Sequence, residues 1–125
     1  MCENNRAFGI ELADLNVVLV EQSRAMQTIM RSMFSSAGVK RLRTAENTRS
    51  ALRLMHMEQP HLVLSDMSGS NETGLELINM MRREDMAPLS YIPVIITSSL
   101  TTQSMVLKCA KAGAHHILTR PTAPA

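Results

Sequence analysis

Five short strand-like runs, at residues 15–20, 39–45, 62–66, 92–97 and 115–119, alternate along this chain with stretches whose apolar residues recur at helical spacing. Two of these runs, Leu15-Asn16-Val17-Val18-Leu19-Val20 and Leu62-Val63-Leu64, are apolar almost without a break. Such a run suits a strand covered on both faces, because a half-exposed strand would alternate polar with apolar residues. Strands separated by whole helices cannot pair as hairpins, so this order demands a parallel sheet with crossover helices. The expected fold is an α/β doubly wound, five-stranded parallel sheet.

The helical stretches have readable ends. Over 24–37, Met26, Ile29, Met30, Met33 and Phe34 recur at helical spacing, and Gly38 follows as a stop. Asn47 and Thr48 offer a cap for a helix striped by Ala51, Leu52, Leu54 and Met55, which Pro60 closes. Thr73 caps the next, over 74–83, with Leu75, Ile78 and Met81 aligned. The last, over 103–112, turns Met105, Val106 and Cys109 inward and ends at Gly113. Residues 1–14 show no period and read as a tail, 15–121 as one domain, and 122–125 as a second short tail.

Composition narrows the functions. Phe8, Phe34 and Tyr91 are the whole aromatic content, so no aromatic platform for stacking bases can be built. A net charge of +2 gives no case for direct nucleic-acid binding, and the basic run Lys40-Arg41-Leu42-Arg43 reads as a charged edge strand that discourages edge-to-edge pairing. Cys2 and Cys109 follow no ligand spacing and read as free thiols of a reducing compartment. No membrane span or signal peptide is legible, so a cytoplasmic location is expected. The eleven Met residues suit an adaptable core. His115 and His116 alternate across a strand and cannot both face one metal, while His56 and His61 flank Pro60 as surface residues.

Asp66 stands out because it ends an apolar run and opens a polar loop. An aspartate there commonly just caps its loop. In a parallel sheet, however, Glu21, Gln22, Asp66, Thr97, Ser98 and Arg120 all lie just past the carboxyl ends of strands, where open α/β sheets bind ligands. Two acids, a hydroxyl and a guanidinium converging on one crevice make a candidate site.

About residues 15 to 121 resemble the receiver domains of two-component response regulators, a flavodoxin-like fold with sheet order 2-1-3-4-5. The resemblance rests on Asp66 after its apolar run, Gly74 at the family's spacing from it, and Ile92-Pro93-Val94-Ile95-Ile96 leading to a hydroxyl. It also rests on Ala112-Gly113-Ala114 with Arg120-Pro121, and on Glu21-Gln22 at the paired acidic positions. The resemblance implies a phosphoacceptor at Asp66, supplied by a histidine kinase or phosphotransfer protein. It implies Mg2+ held by Glu21, Gln22, Asp66 and the backbone carbonyl of Ser68, a switch hydroxyl at Ser98 (or Thr97), and Arg120 as phosphate partner. Ile117 stands at the switch-aromatic position. The implied role is signalling rather than enzymatic.

Departures from the pattern are specific. Gln22 replaces the second acid, which weakens the metal shell. Arg120 replaces Lys with a bulkier, planar cation. The loop after Asp66 reads Met67-Ser68-Gly69-Ser70 without the family's Met-Pro pair, and Ile117 is not aromatic. A second reading is therefore a pseudo-receiver that acts as an interaction or dimerisation module without phosphorylation. A third, another flavodoxin-like enzyme, is disfavoured because neither aromatics nor a Gly-rich loop is at hand for flavin. The family's final helix has no counterpart before Ala125, so the chain reads as truncated, or as covering that face by self-association through Met26, Met30 and Met33.

Overall fold

The computed structural model describes residues 6–7, 10–66, 73–83, 89–98, 111 and 116–119. Strands β3 (Asn16–Val20), β4 (Arg41–Ala45), β5 (Leu62–Asp66), β6 (Val94–Ser98) and β7 (His116–Thr119) form one sheet in the order β4-β3-β5-β6-β7. Every neighbouring pair in it is parallel. Two further strands, β1 (Arg6–Ala7) and β2 (Ile10–Glu11), make a small antiparallel hairpin.

The unbroken apolar runs are explained by burial on two sides. Val18, Val20, Val63, Val94 and Ile96 pack with helices α2 (Thr48–Met57) and α3 (Thr73–Met81) through Ala51, Met55, Leu77, Ile78 and Met81. Val17, Leu19, Leu62 and Leu64 pack instead with Met30 of α1 (Arg24–Ala37). Odd and even positions of each strand thus feed different layers, which is the period-two geometry of a strand put to use on both faces. The helix expected over 103–112 lies outside the described residues apart from helical Lys111.

Local signals set the helix limits. The Ser23 hydroxyl accepts from the Met26 N–H at 3.2 Å to start α1, and Gly38 ends it at φ +106°. The Asn47 side chain accepts from the Ser50 N–H at 2.8 Å to start α2. Such caps satisfy N–H groups that have no partner inside the helix. Arg82, just after α3, donates from Nη1 to the Ile92 carbonyl at 2.9 Å, and burial lowers its guanidinium pKa below the ordinary value.

Arg41 and Arg43 of the basic run lie on an edge strand as expected, and both have partners in the fold. Arg43 reaches across to α2, donating to the carbonyls of Leu54 (2.9 Å) and Glu58 (2.6 Å) and to Asn16 Oδ1 (3.0 Å). Arg41 pairs with Glu58 at 2.8 Å. From the other side, Arg31 of α1 donates to the Leu42 carbonyl (3.1 Å) and Thr44 Oγ1 (3.2 Å), covering part of the open edge.

Two expectations need correction. Residues 1–14 do not all behave as a tail: Ile10 and Leu12 pack against the α1-side core, and Leu12 lies 3.8 Å from where a Cβ on Gly38 would stand. With that cluster closed, Met30 is buried rather than part of an open methionine face, and Met26 is half-buried. His61 is not a bystander at the surface either. Its N–H donates to the Asn16 carbonyl at 2.8 Å while its Nδ1 accepts from the Asn16 N–H at 2.9 Å, tying the start of β5 to the start of β3.

Gly38→Ala should destabilise the protein by about 1–2 kcal/mol, the cost of a Cβ in left-handed backbone, read as a lower urea midpoint at unchanged slope. Arg43→Met should cost about 1–3 kcal/mol by removing three hydrogen bonds, one of them to the side chain of buried Asn16, and the loss should show first as faster amide exchange at the end of α2.

Candidate functional site

Register decides which side chains meet. Val20 is the Cα partner of Ser65, and Asp66 is the partner of Thr97. Glu21 follows Val20 directly, and its N–H donates to the Ala45 carbonyl at 2.9 Å, so it prolongs the ladder beyond the end of β3. Strands in a sheet lie roughly 4.8 Å apart. Glu21, Asp66 and Thr97 therefore occupy successive positions on three adjacent strands at one edge of the sheet. Alternation places them on a common face as well: Glu21 continues Val17 and Leu19, Asp66 continues Leu62 and Leu64, and Thr97 continues Ile95, all on the α1 side.

All three are buried, with 2% of Glu21, 5% of Asp66 and 4% of Thr97 exposed. Two carboxyl groups sunk this far need hydrogen bonds or a cation to offset lost hydration. For Glu21 the hydrogen bonds are explicit. Its Oε2 accepts from the Ser23 N–H at 2.9 Å, and its carbonyl accepts from Gln27 Nε2 at 2.6 Å. Beside Asp66, the buried Ser65 hydroxyl reaches the Asp66 carbonyl at 3.5 Å, a weak contact.

The other sequence-derived positions stand as follows. Gln22 is exposed at the mouth of the β3–α1 turn. Ser98 closes β6 as the partner of Thr119, and Ile117 is the partner of Ile96. Ser68, Arg120 and both cysteines lie outside the described residues. Ser23, Gln27 and Ser65 were not singled out from the sequence. Ser65 carries a signal, a lone hydroxyl inside an apolar run, whereas the reach of Gln27 back to Glu21 depends on how α1 leaves the sheet.

Two adjacent carboxylates are oxygen donors, which suit a hard divalent cation. Among the described residues no group of three or more His, Cys, Asp and Glu gathers in a way that could hold a metal. The donor chemistry fits Mg2+ with a reduced charge count. Among the described residues no helix is long and apolar enough to cross a membrane.

Comparison with known proteins agrees with this fold. The family model described as "Response regulator receiver domain" matches residues 17–125. The two-component response regulator ORR3 of Oryza sativa subsp. indica is 26% identical over 110 residues, covering 87% of this chain and 82% of the relative. Among solved structures, chemotaxis protein CheY4 of Vibrio cholerae superposes with a TM-score of 0.77 at 21% identity, covering 88% of this chain and 89% of that one. The Mn(2+)-bound form of response regulator Rcp1 gives a TM-score of 0.73 at 18% identity, covering 87% and 83%. Its fold and the reach of the family model along it agree: the chain belongs to the response regulator receiver domain family.

Proposed function

We propose that this receiver domain takes a phosphoryl group on Asp66 from a phosphohistidine of a histidine kinase or phosphotransfer protein, and so switches an interaction surface. The observation that carries the reading is the buried Glu21–Asp66 pair at the carboxyl ends of adjacent parallel strands. Receiver domains are signalling modules; the methylesterase relative of Treponema pallidum matches this chain over only 27% of its length.

In the proposed reaction an Asp66 carboxylate oxygen attacks phosphorus. The P–N bond breaks, and its electron pair leaves on the imidazole nitrogen, which takes up a proton. Approach of one anion to another is the obstacle, so the site's task is charge neutralisation and alignment. Mg2+, when bound, supplies the positive charge that lets phosphate oxygens lie beside two carboxylates. Glu21, Asp66, the Gln22 amide and the Ser68 backbone carbonyl would hold it, and the manganese-bound Rcp1 shows that a neighbour of this fold takes such an ion. Arg120 would meet the phosphoryl oxygens, with Ser98, or Thr97 as the register partner of Asp66, donating the switch hydrogen bond. At Ile117 the readout would proceed without an aromatic ring.

A second surface belongs to this proposal. On α1, Ile29 and Met33 are 43% and 53% exposed one turn apart, amid the small polar residues Thr28, Ser32 and Ser36. Self-association through this stripe would cover them. The module is proposed to work in the cytoplasm, where its kinase partner would present phosphohistidine.

Incubated with Mg2+ and a small acyl phosphate, the protein should gain one phosphoryl group by intact mass, and Asp66→Asn should gain none. No gain on the wild-type protein would overturn the phosphoacceptor reading and favour a phosphorylation-independent interaction module. Light scattering across a concentration series should show a dimer that Met33→Glu dissociates; a concentration-independent monomer mass for the wild type would exclude the α1 contact.

A further inference from the structure

We infer that Gln27, a residue of α1 outside the proposed metal shell, is a positioning residue for the Glu21 carboxylate. The inference rests on the metal reading above but stands on its own hydrogen bonds. Gln27 is joined to the β3–α1 turn twice: its backbone N–H donates to the Ser23 carbonyl at 2.9 Å, and its Nε2 donates to the Glu21 carbonyl at 2.6 Å. A carbonyl acceptor fixes which end of the side-chain amide faces it. The Glu21 carbonyl belongs to the same planar peptide unit as the Gln22 N–H, so holding it holds the path of the chain into Ser23.

That path matters because the Ser23 N–H is the donor to Glu21 Oε2, at 2.9 Å. Glu21 is thereby gripped at its N–H by Ala45, at its carbonyl by Gln27, and at its carboxylate by Ser23. Removing the Gln27 donor loosens the Glu21–Gln22 peptide, and with it the placement of the Ser23 N–H against Oε2. A neutral amide performs this task without placing a positive charge beside the carboxylate, where a cation would compete with the metal. Partners that orient ligands in this way govern metal affinity although they never touch the ion.

The test uses Gln27→Met, which keeps length and helix propensity while deleting the donor, and Gln27→Lys, which keeps a donor but adds a charge. Two readouts are taken: Mn2+ binding, followed by the electron paramagnetic resonance signal of the free ion, and hydrogen exchange of the Ser23 amide by NMR. In Gln27→Met the expected results are roughly tenfold weaker Mn2+ binding and clear loss of Ser23 protection, with the melting temperature nearly unchanged. Gln27→Lys should regain the Ser23 protection while binding Mn2+ less tightly than the wild type. Unchanged Ser23 exchange in Gln27→Met overturns the inference, as does wild-type Mn2+ affinity in that variant. If the wild type takes up no Mn2+ yet Gln27→Met loses Ser23 protection, the metal reading fails and the positioning role of Gln27 stands.

Discussion

A parallel sheet covered on both faces leaves its strands almost no place for polar chemistry except their ends. In this protein that constraint organises the rest. Val17 to Val20 and Leu62 to Leu64 are committed alternately to the α1 layer and to the α2–α3 layer, so the first positions past these runs that carry charge are Glu21 and Asp66. The acids are side by side because the strands are in register there, and they share a face because alternation leaves no other option. Function in such a fold is a boundary effect of its core.

The same logic separates the two ends of the sheet. At the carboxyl end, Glu21, Asp66 and Thr97 are buried and polar. At the opposite end, Asn16, His61, Arg43 and Glu58 form a hydrogen-bonded network that closes off the strand starts and the end of α2. Chemistry and fastening are therefore a strand's length apart. The basic edge strand belongs to the fastening: Arg43 and Arg41 bind α2, and Arg31 shields β4, so positive charge on this flank has local partners in the fold itself.

Most of the architecture was legible because it rests on local rules. The α1 stretch and its Gly38 stop, the Asn47 cap and the charged edge strand all follow from spacing and side-chain type, and the acids at the sheet's edge follow from where the apolar runs end. What escaped depends on contacts distant in sequence. Ile10 and Leu12 carry no periodic signal in so short a segment, and only the shape of the α1-side core explains their burial. His61 beside Pro60 looks like an ordinary loop residue until β3 is seen to lie next to it, forty-five positions away in sequence. Gln27 is one polar residue among several on α1, with Arg24, Thr28 and Arg31 beside it in sequence. Its reach to Glu21 is a product of the turn geometry, not of the residue's type.

The Asn16–His61 pair also bears on how exactingly the site can be built. Its two hydrogen bonds, 2.8 Å and 2.9 Å long, fix the relative stagger of β3 and β5 at their entry points. A slip of one position between these strands would turn one of the two acids toward the opposite layer. The alignment of Glu21 with Asp66 is thus calibrated by an imidazole and an amide at the remote end of the sheet. Anyone transplanting the acidic pair into another scaffold would have to carry that distant pin along with it.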